Sequence, residues 1–378
     1  MRIALVTNLC THYRRPLYEE LRRRFDVELF FTSSGSEWYR PAGVDAPSQG
    51  LMNASGGSLA VLPALVRGGY DCIVASLTGR AIVPAVYLAS RLRRTPLVLW
   101  VGIWSHPETP FHRLTRPLVR HLYRSADAVL AYGTHVAEFV ATESRRHERI
   151  FVAPQAVDGE RFRRAVPGSI VDQLRRTLAL TDKPVVTFVG RLEPEKGLDV
   201  LLHASAASRA SHMLLLVGTG SGEPSLRRLA GDLGIADRVR FAGWAGQAEL
   251  PAYLRTSDLL VLPSVTTPRF KEPWGLVVNE AMCCSLPVIA TDAVGAAAGG
   301  LVVDGVTGIV VPESSVASLA AALDRLCSDR EQRVAMGLAG SELVSAYTFA
   351  AAADAFEEAT TAAVARGRLA AEELACAS

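Results

Sequence analysis

The chain reads as an α/β protein built from two doubly wound parallel sheets, each in its own domain. Three observations lead there. Short, β-branched apolar runs alternate with helical patterns along the chain. The alternation runs once, is broken around Pro167 and Gly168, and starts again. The length, 378 residues, exceeds one ordinary core and suits two.

In the first half the strand candidates are residues 3–6, 27–31, 72–75, 97–101, 128–131 and 150–152. Helical patterns lie between them at 14–24, 81–92 and 114–124. The second half repeats the scheme with strands at 185–189, 213–217, 239–241, 259–262, 288–290 and 309–311. Runs this apolar suit strands covered by helices on both sides. Pro167 and Gly168 place the linker within 159–169, so the domains are expected at 1–165 and 166–347. The Ala-rich end reads as a helix with Phe349, Phe356 and Val364 near one face. In such sheets ligands bind beyond the carboxyl ends of the strands, so the residues just after each strand matter most.

Composition narrows the classes. No run approaches the roughly 18 apolar residues of a membrane span, and the first residues lack the apolar core of a signal peptide. A cytoplasmic protein is expected. The six cysteines show neither metal nor disulfide spacing, and Cys283 and Cys284 read as small core fillers. Charge is divided unevenly. Residues 1–165 hold 22 Arg, no Lys and 14 acids, a balance of +8; the remainder carries −6. A basic half suits an anionic ligand or membrane surface, or is solvated decoration. Nucleic acid is not expected as a partner, because no basic patch is interleaved with aromatics.

The most telling stretch is Glu272-Pro273-Trp274-Gly275-Leu276-Val277-Val278-Asn279-Glu280. Two carboxylates flank a Gly-Leu step that opens a helix apolar on most sides, and such a helix is buried. A buried Glu is rare unless it is paired or used. The unpaired N–H groups of a helix start near Gly275 form a ready phosphate site. Carboxylates on either side of it suit a diphosphate with a hydroxyl-bearing ring at each end, the layout of a nucleotide sugar.

The first strand of the second half ends in Val189-Gly190-Arg191-Leu192-Glu193-Pro194-Glu195-Lys196-Gly197. Gly190 allows close backbone approach. Arg191 and Lys196 bring two cations to the sheet edge, Arg as a bidentate fork and Lys as a point charge. Lys196 is one of three lysines in the chain. As plain surface cations the two would pair with Glu193 and Glu195; as functional groups they would grip phosphate.

Together these residues resemble the retaining glycosyltransferases of the family 4 type, which have the GT-B fold of two Rossmann-like domains facing an interdomain cleft. The resemblance covers the second half, through Val189-Gly190-Arg191, Lys196-Gly197, Gly218-Thr219-Gly220, Phe241-Ala242-Gly243, the Glu272 and Glu280 pair, Gly295 and Asp304-Gly305. It implies that Arg191 and Lys196 bind the donor diphosphate and that Gly275 and Leu276 offer it backbone N–H groups. Glu280 would hold the ribose and Glu272 the donor sugar. Gly218 would line the site, and Trp244 would lie near the base or fill the core. The C-terminal helix, 348–378, is expected to pack back on the first domain.

The first half matches less. In place of a glycine pair after the first strand it has Thr11-His12-Tyr13-Arg14-Arg15-Pro16-Leu17-Tyr18, similar to a subgroup with a Tyr-Arg-x-Pro-Leu turn. Arg14 or Arg15 either replaces the missing contact with a charge or starts a surface helix. The loop Gly102-Ile103-Trp104-Ser105-His106 carries a histidine that the resemblance sets near the transferred sugar; a structural His is the alternative. Trp100 and Trp104 either shape the acceptor side or fill the core. Arg113, Arg116, Arg120 and Arg124 recur at helical spacing beside Leu114, Leu118 and Leu122. A solvated face over a core stripe is the favoured reading, and docking on an anionic membrane is the other.

The expected reaction is sugar transfer with retention to an acceptor glycan, lipid-linked saccharide or small molecule. No Asp-x-Asp or His/Asp cluster suggests a metal, so metal independence and no cofactor are expected. The expected setting is cell-surface glycan or glycoconjugate synthesis. Decoration of a secondary metabolite, a GT-B epimerase and a non-catalytic sugar-nucleotide-binding subunit are the alternatives. Acceptor choice is expected to lie in residues 33–57 and 101–112.

Overall fold

The computed structural model describes residues 1–8, 10–32, 53–54, 61–77 and 82–376. The chain divides into two compact units, Met1–Gln155 with Phe349–Ser378, and Ala156–Thr348. The division falls before the expected linker. Residues Gly159–Arg163 form a helix, and its Phe162 is buried in the core of the second unit.

In the first unit the strands are β1 (Arg2–Thr7), β2 (Asp26–Phe31), β3 (Asn53–Ala54), β4 (Cys72–Ser76), β5 (Leu97–Val101), β6 (Ala128–Ala131) and β7 (Ile150–Val152). They form one parallel sheet in the order β3-β2-β1-β4-β5-β6-β7. The strands of the second unit are β8 (Val185–Val189), β9 (Met213–Val217), β10 (Val239–Gly243), β11 (Leu259–Leu262), β12 (Val288–Thr291) and β13 (Gly308–Val311). Their order is β10-β9-β8-β11-β12-β13, again parallel. Both sheets wind outward in two directions from their first strand. That places a crevice at the carboxyl ends of β1 and β4 in one unit, and of β8 and β11 in the other.

Apart from β3, which no apolar run predicted, the strands form where those runs lie; the central ones are buried on both faces, while β7 and β10 are only partly buried. Helix ends follow local chemistry. Thr109 caps Pro110–Ser125 with its side chain, Ser315 caps Val316–Ser328, and Asp329 caps Arg330–Leu343. Cys283 and Cys284 are buried in the second core.

The C-terminal helix Phe349–Cys376 belongs to the first unit. Ala352, Ala353, Ala359 and Ala363 let it lie close to the sheet, and the Phe356 ring meets Trp100 edge-on at 5.0 Å. Arg24 ties the helix to the first helix of the chain through Asp354 at 2.5 Å.

One expectation fails here. In Pro110–Ser125 only Leu122 of the three-leucine stripe is buried, while Leu114 is 81% and Leu118 44% exposed. The inward face carries Leu122 and Tyr123, so the stripe drifts outward over two turns. The arginines are not a plain solvated face either, since Arg116 and Arg120 reach Glu143 at 3.0 and 2.5 Å. Among the described residues no single helix is long and apolar enough to cross a membrane. The acceptor stretch 33–57 lies outside the described residues apart from 53–54.

Candidate functional site

The second unit gathers its predicted residues at the carboxyl edge of its sheet. Val189 and Val217 are register partners, so the turns after β8 and β9 start side by side. The Gly190 N–H donates to the Val217 carbonyl, and Gly218 N–H to that of Gly243. Gly218 has φ 139° and lies against the Gly190 carbonyl, where any Cβ would collide. Its glycine is therefore required by packing of the two turns.

Arg191 is 45% exposed and pairs with Glu195 at 2.7 Å. That is the surface pairing the sequence allowed. Glu193 takes neither cation; it accepts from the Ser221 N–H at 2.9 Å and hydroxyl at 2.7 Å. Lys196 is turned inward. Gly197, at φ 63°, presses on the Pro263 carbonyl after β11, and Lys196 pairs with Glu272 across the β8–β11 switch point. The ammonium also lies 5.3 Å from the Phe270 ring centre. Ser264 donates to the same Glu272 oxygen at 3.1 Å. Glu272 is thus oriented by a cation and a hydroxyl in a buried place.

The helix Leu276–Cys283 starts where expected, with Gly275 as its N-cap at φ 91°. The start is held in place from below. The Trp274 indole N–H donates to Asn279 Oδ1 at 2.7 Å, and the Glu272 and Trp274 carbonyls accept from the N–H groups of Gly295 and Ala296 at 3.1 and 2.8 Å. No side chain caps the helix, and among the described residues the Leu276 and Val277 N–H groups have no acceptor. They face outward with the positive end of the helix dipole.

Glu280 lies one turn beyond Leu276, on the same face. Its side chain is buried, and burial pushes the carboxyl up to about 7, with Arg161 opposing that weakly. Among the described residues nothing donates a hydrogen bond to it. Of the two states open to a buried Glu, paired or used, this one is unpaired. Trp244 follows β10 and is 47% exposed, so it does not fill the core.

His106 belongs to the first unit. Its Nε2 lies 3.1 Å from Glu143, without good hydrogen-bond alignment. Its ring meets Phe139 edge-on. Burial lowers its pKa against the pull of Glu143. Arg120 first, then His106 and Arg116, hold Glu143 down to about 2. Arg15 pairs outward with Glu19, whereas Arg14 turns in. Trp100 is buried, and Trp104 meets His135 edge-on. Sequence reasoning missed the roles of Ser264, Phe270 and Asn279. Asn279 stands inside the quoted Glu272–Glu280 stretch and Ser264 just after β11, but their partners are set by the meeting of β11 with its neighbours. Among the described residues no three His, Cys, Asp or Glu gather as a metal site.

Over residues 171–342 the chain matches the family described as glycosyl transferases group 1. It is 32% identical over 285 residues to the alpha-D-kanosaminyltransferase of Streptomyces kanamyceticus, covering 71% of each chain. It is 36% identical over 227 residues to the GDP-mannose-dependent alpha-(1-6)-phosphatidylinositol monomannoside mannosyltransferase of Mycobacterium tuberculosis, covering 57% of this chain and 58% of that one. The structure of Anabaena Alr3699/HepE in complex with UDP and glucose matches with a TM-score of 0.75 and 21% identity, covering 96% and 99%. At that identity the likeness carries the fold alone. Two doubly wound units of this kind make up the GT-B fold. The chain belongs to the glycosyl transferases group 1, and it is an enzyme of that transferase class.

Proposed function

We propose that this enzyme moves a sugar from a nucleoside diphosphate sugar to an acceptor hydroxyl, with retention and without a metal. The observation that carries the reading is Glu280: a buried, unpaired carboxylate on the same helix face as N–H groups with no acceptor. Ribose hydroxyls would satisfy the carboxylate, and a diphosphate would satisfy the N–H groups.

The chemistry follows from where charge develops. As the bond from the anomeric carbon to the phosphate oxygen breaks, negative charge grows on the diphosphate. Lys196, Arg191 and the helix start offset it there without a cation from solution. Arg191 is released from Glu195 at small cost, because an exposed pair contributes only about 0–1 kcal/mol. The acceptor oxygen bonds to the anomeric carbon on the face the diphosphate leaves, and its proton passes to the departing phosphate oxygen. Glu272 is already engaged by Lys196 and Ser264. That fits a carboxylate orienting sugar hydroxyls better than a nucleophile. His106 is assigned to the sugar side of the reaction, with Glu143 3.1 Å from its Nε2.

The acceptor is a glycan or lipid-linked saccharide at the cytoplasmic face of the membrane. The basic first unit and the exposed Phe111, Leu114 and Leu118 beside Arg113 and Arg124 support this. A second reading, decoration of a small molecule, draws on the likeness to the kanosaminyltransferase, which spans more of both chains than that to the mannosyltransferase.

Calorimetry with UDP, GDP, ADP and TDP in EDTA tests the core of the proposal. One nucleotide should bind, and Glu280→Ala and Lys196→Ala should each weaken it at least about tenfold. Binding that needs added divalent metal, or that is indifferent to Glu280, refutes the assignment.

A further inference from the structure

In the donor reading Lys196 serves the diphosphate and Glu272 the sugar, yet the two side chains are paired with each other. Lys196 is 11% and Glu272 9% exposed, whereas Arg191, earlier in the same turn, keeps 45% of its side chain in solvent. Solvent screens the Arg191 pair and leaves it weak. It reaches the Lys196 pair far less, and withdrawing one partner there leaves the other charge buried and uncompensated. An incoming anion must therefore take Lys196 from a carboxylate that already holds it.

The backbone fixes both partners where they stand. The Val265 N–H donates to the Glu195 carbonyl at 3.0 Å, and Gly197 packs on the Pro263 carbonyl, so the segments after β8 and β11 are joined on both sides of Lys196. Glu272 forms a parallel bridge with Val294, and its carbonyl accepts from the Gly295 N–H. The Ser264 hydroxyl donates at 3.1 Å to Oε2, the same oxygen that takes Lys196. The Ser264 carbonyl in turn accepts from the Thr291 hydroxyl at 2.5 Å. Neighbouring segments thus hold the carboxylate within reach of the ammonium.

A phosphate oxygen and Glu272 Oε2 then compete for one ammonium. A nucleoside diphosphate brings negative charge toward a buried carboxylate and draws off its cation. An intact nucleotide sugar brings hydroxyl donors to that carboxylate as it does so. Specificity can be built in this way, by setting an unpaired charge against the wrong ligand. Resting on the donor reading, we infer that Glu272 is also a specificity-determining residue against the spent donor: it competes with the diphosphate for Lys196, so that a nucleoside diphosphate without its sugar is held weakly and leaves. Once the glycosyl unit has been transferred, the carboxylate loses its hydroxyls and takes Lys196 back.

Calorimetry with UDP, GDP, ADP and TDP measures the competition in the full chain. The nucleotide that binds wild type should bind Glu272→Gln about tenfold more tightly, because glutamine keeps the shape and drops the charge that holds Lys196. In a Lys196→Ala background the same change should gain less than about twofold. Ser264→Ala takes a donor from Oε2, leaves Lys196 to answer more of its charge, and should weaken the nucleotide about threefold. A merely structural role predicts losses in both single variants and cannot give opposite signs. Unchanged or weaker binding by Glu272→Gln overturns the competition, and so does an equal gain with and without Lys196, which marks plain repulsion. If Glu272→Gln does not fold, Ser264→Ala decides alone, and binding equal to or tighter than wild type overturns it. Lys196→Ala that binds like wild type removes the donor reading itself; a loss there with no gain in Glu272→Gln removes only the competition.

Discussion

In the proposed reading, Glu280 couples stability to ligand binding. Its folded pKa, about 7, lies above the usual 4.5. The folded state therefore holds the proton more tightly than the unfolded chain. The stability this contributes is full below about pH 4.5 and is lost as pH rises through 7, on the order of 3 kcal/mol in all. Glu280→Gln should remove that slope, so the variant is more stable than wild type at pH 8 in urea unfolding, yet binds nucleotide at least about tenfold more weakly. In wild type, ribose hydroxyls favour the ionised form, so nucleotide affinity should rise from pH 6 to 8; a flat profile by calorimetry counts against the role. The two cations should separate just as cleanly. Lys196→Ala strands Glu272 in a buried site and should cost about 3 kcal/mol or more. Arg191→Ala, at an exposed pair, should stay within about 0.5 kcal/mol while still weakening the diphosphate. Equal stability losses would contradict the geometry.

The turn after each strand is the element that makes this edge. Gly190, Gly218 and Gly197 all have positive φ; Gly218 and Gly197 each let one backbone lie against another, and Gly190 lies against the Phe188 ring. Gly218→Ala should cost more than about 2 kcal/mol, through both φ strain and collision with the Gly190 carbonyl. Urea denaturation of the purified variant measures this, and a loss under about 0.5 kcal/mol would show that the turn yields. These turns are legible as motifs. Gly218 reads in sequence as lining the ligand site, and the fold adds that its backbone lies against the Gly190 turn. The helix Pro110–Ser125 teaches the converse lesson. Its leucine spacing suits a core stripe, yet only Leu122 is buried. Periodicity gives the period of a face and leaves its rotation against the sheet to packing.

At the scale of the whole molecule, the C-terminal helix completes the first unit from the far end of the chain. Phe356 and four small residues cover a sheet face that includes Trp100. A chain stopped after Thr348 should lose the unfolding transition of the first unit and keep that of the second, followed by calorimetry and limited proteolysis. Two intact transitions would mean the helix is an accessory. The division at Gln155 and Ala156 shows why the linker was misplaced. Pro167 and Gly168 do break the local pattern, but Phe162 has already joined the second core. A breaker reports backbone preference, whereas a domain boundary is set by which core a side chain enters.

Sequence alone determined the two α/β halves and which cations and carboxylates meet at the candidate site. It did so because apolar runs and glycine turns are local properties of the chain. Tertiary structure decided what each charge does. Lys196 pairs with Glu272 and not with a neighbouring acid, Arg191 stays on the surface, and Glu280 has no partner. It also turned Arg14 inward onto Trp100 and Tyr132. Those outcomes depend on which strands lie side by side and how much water remains between them, and neither is written in any single stretch of residues.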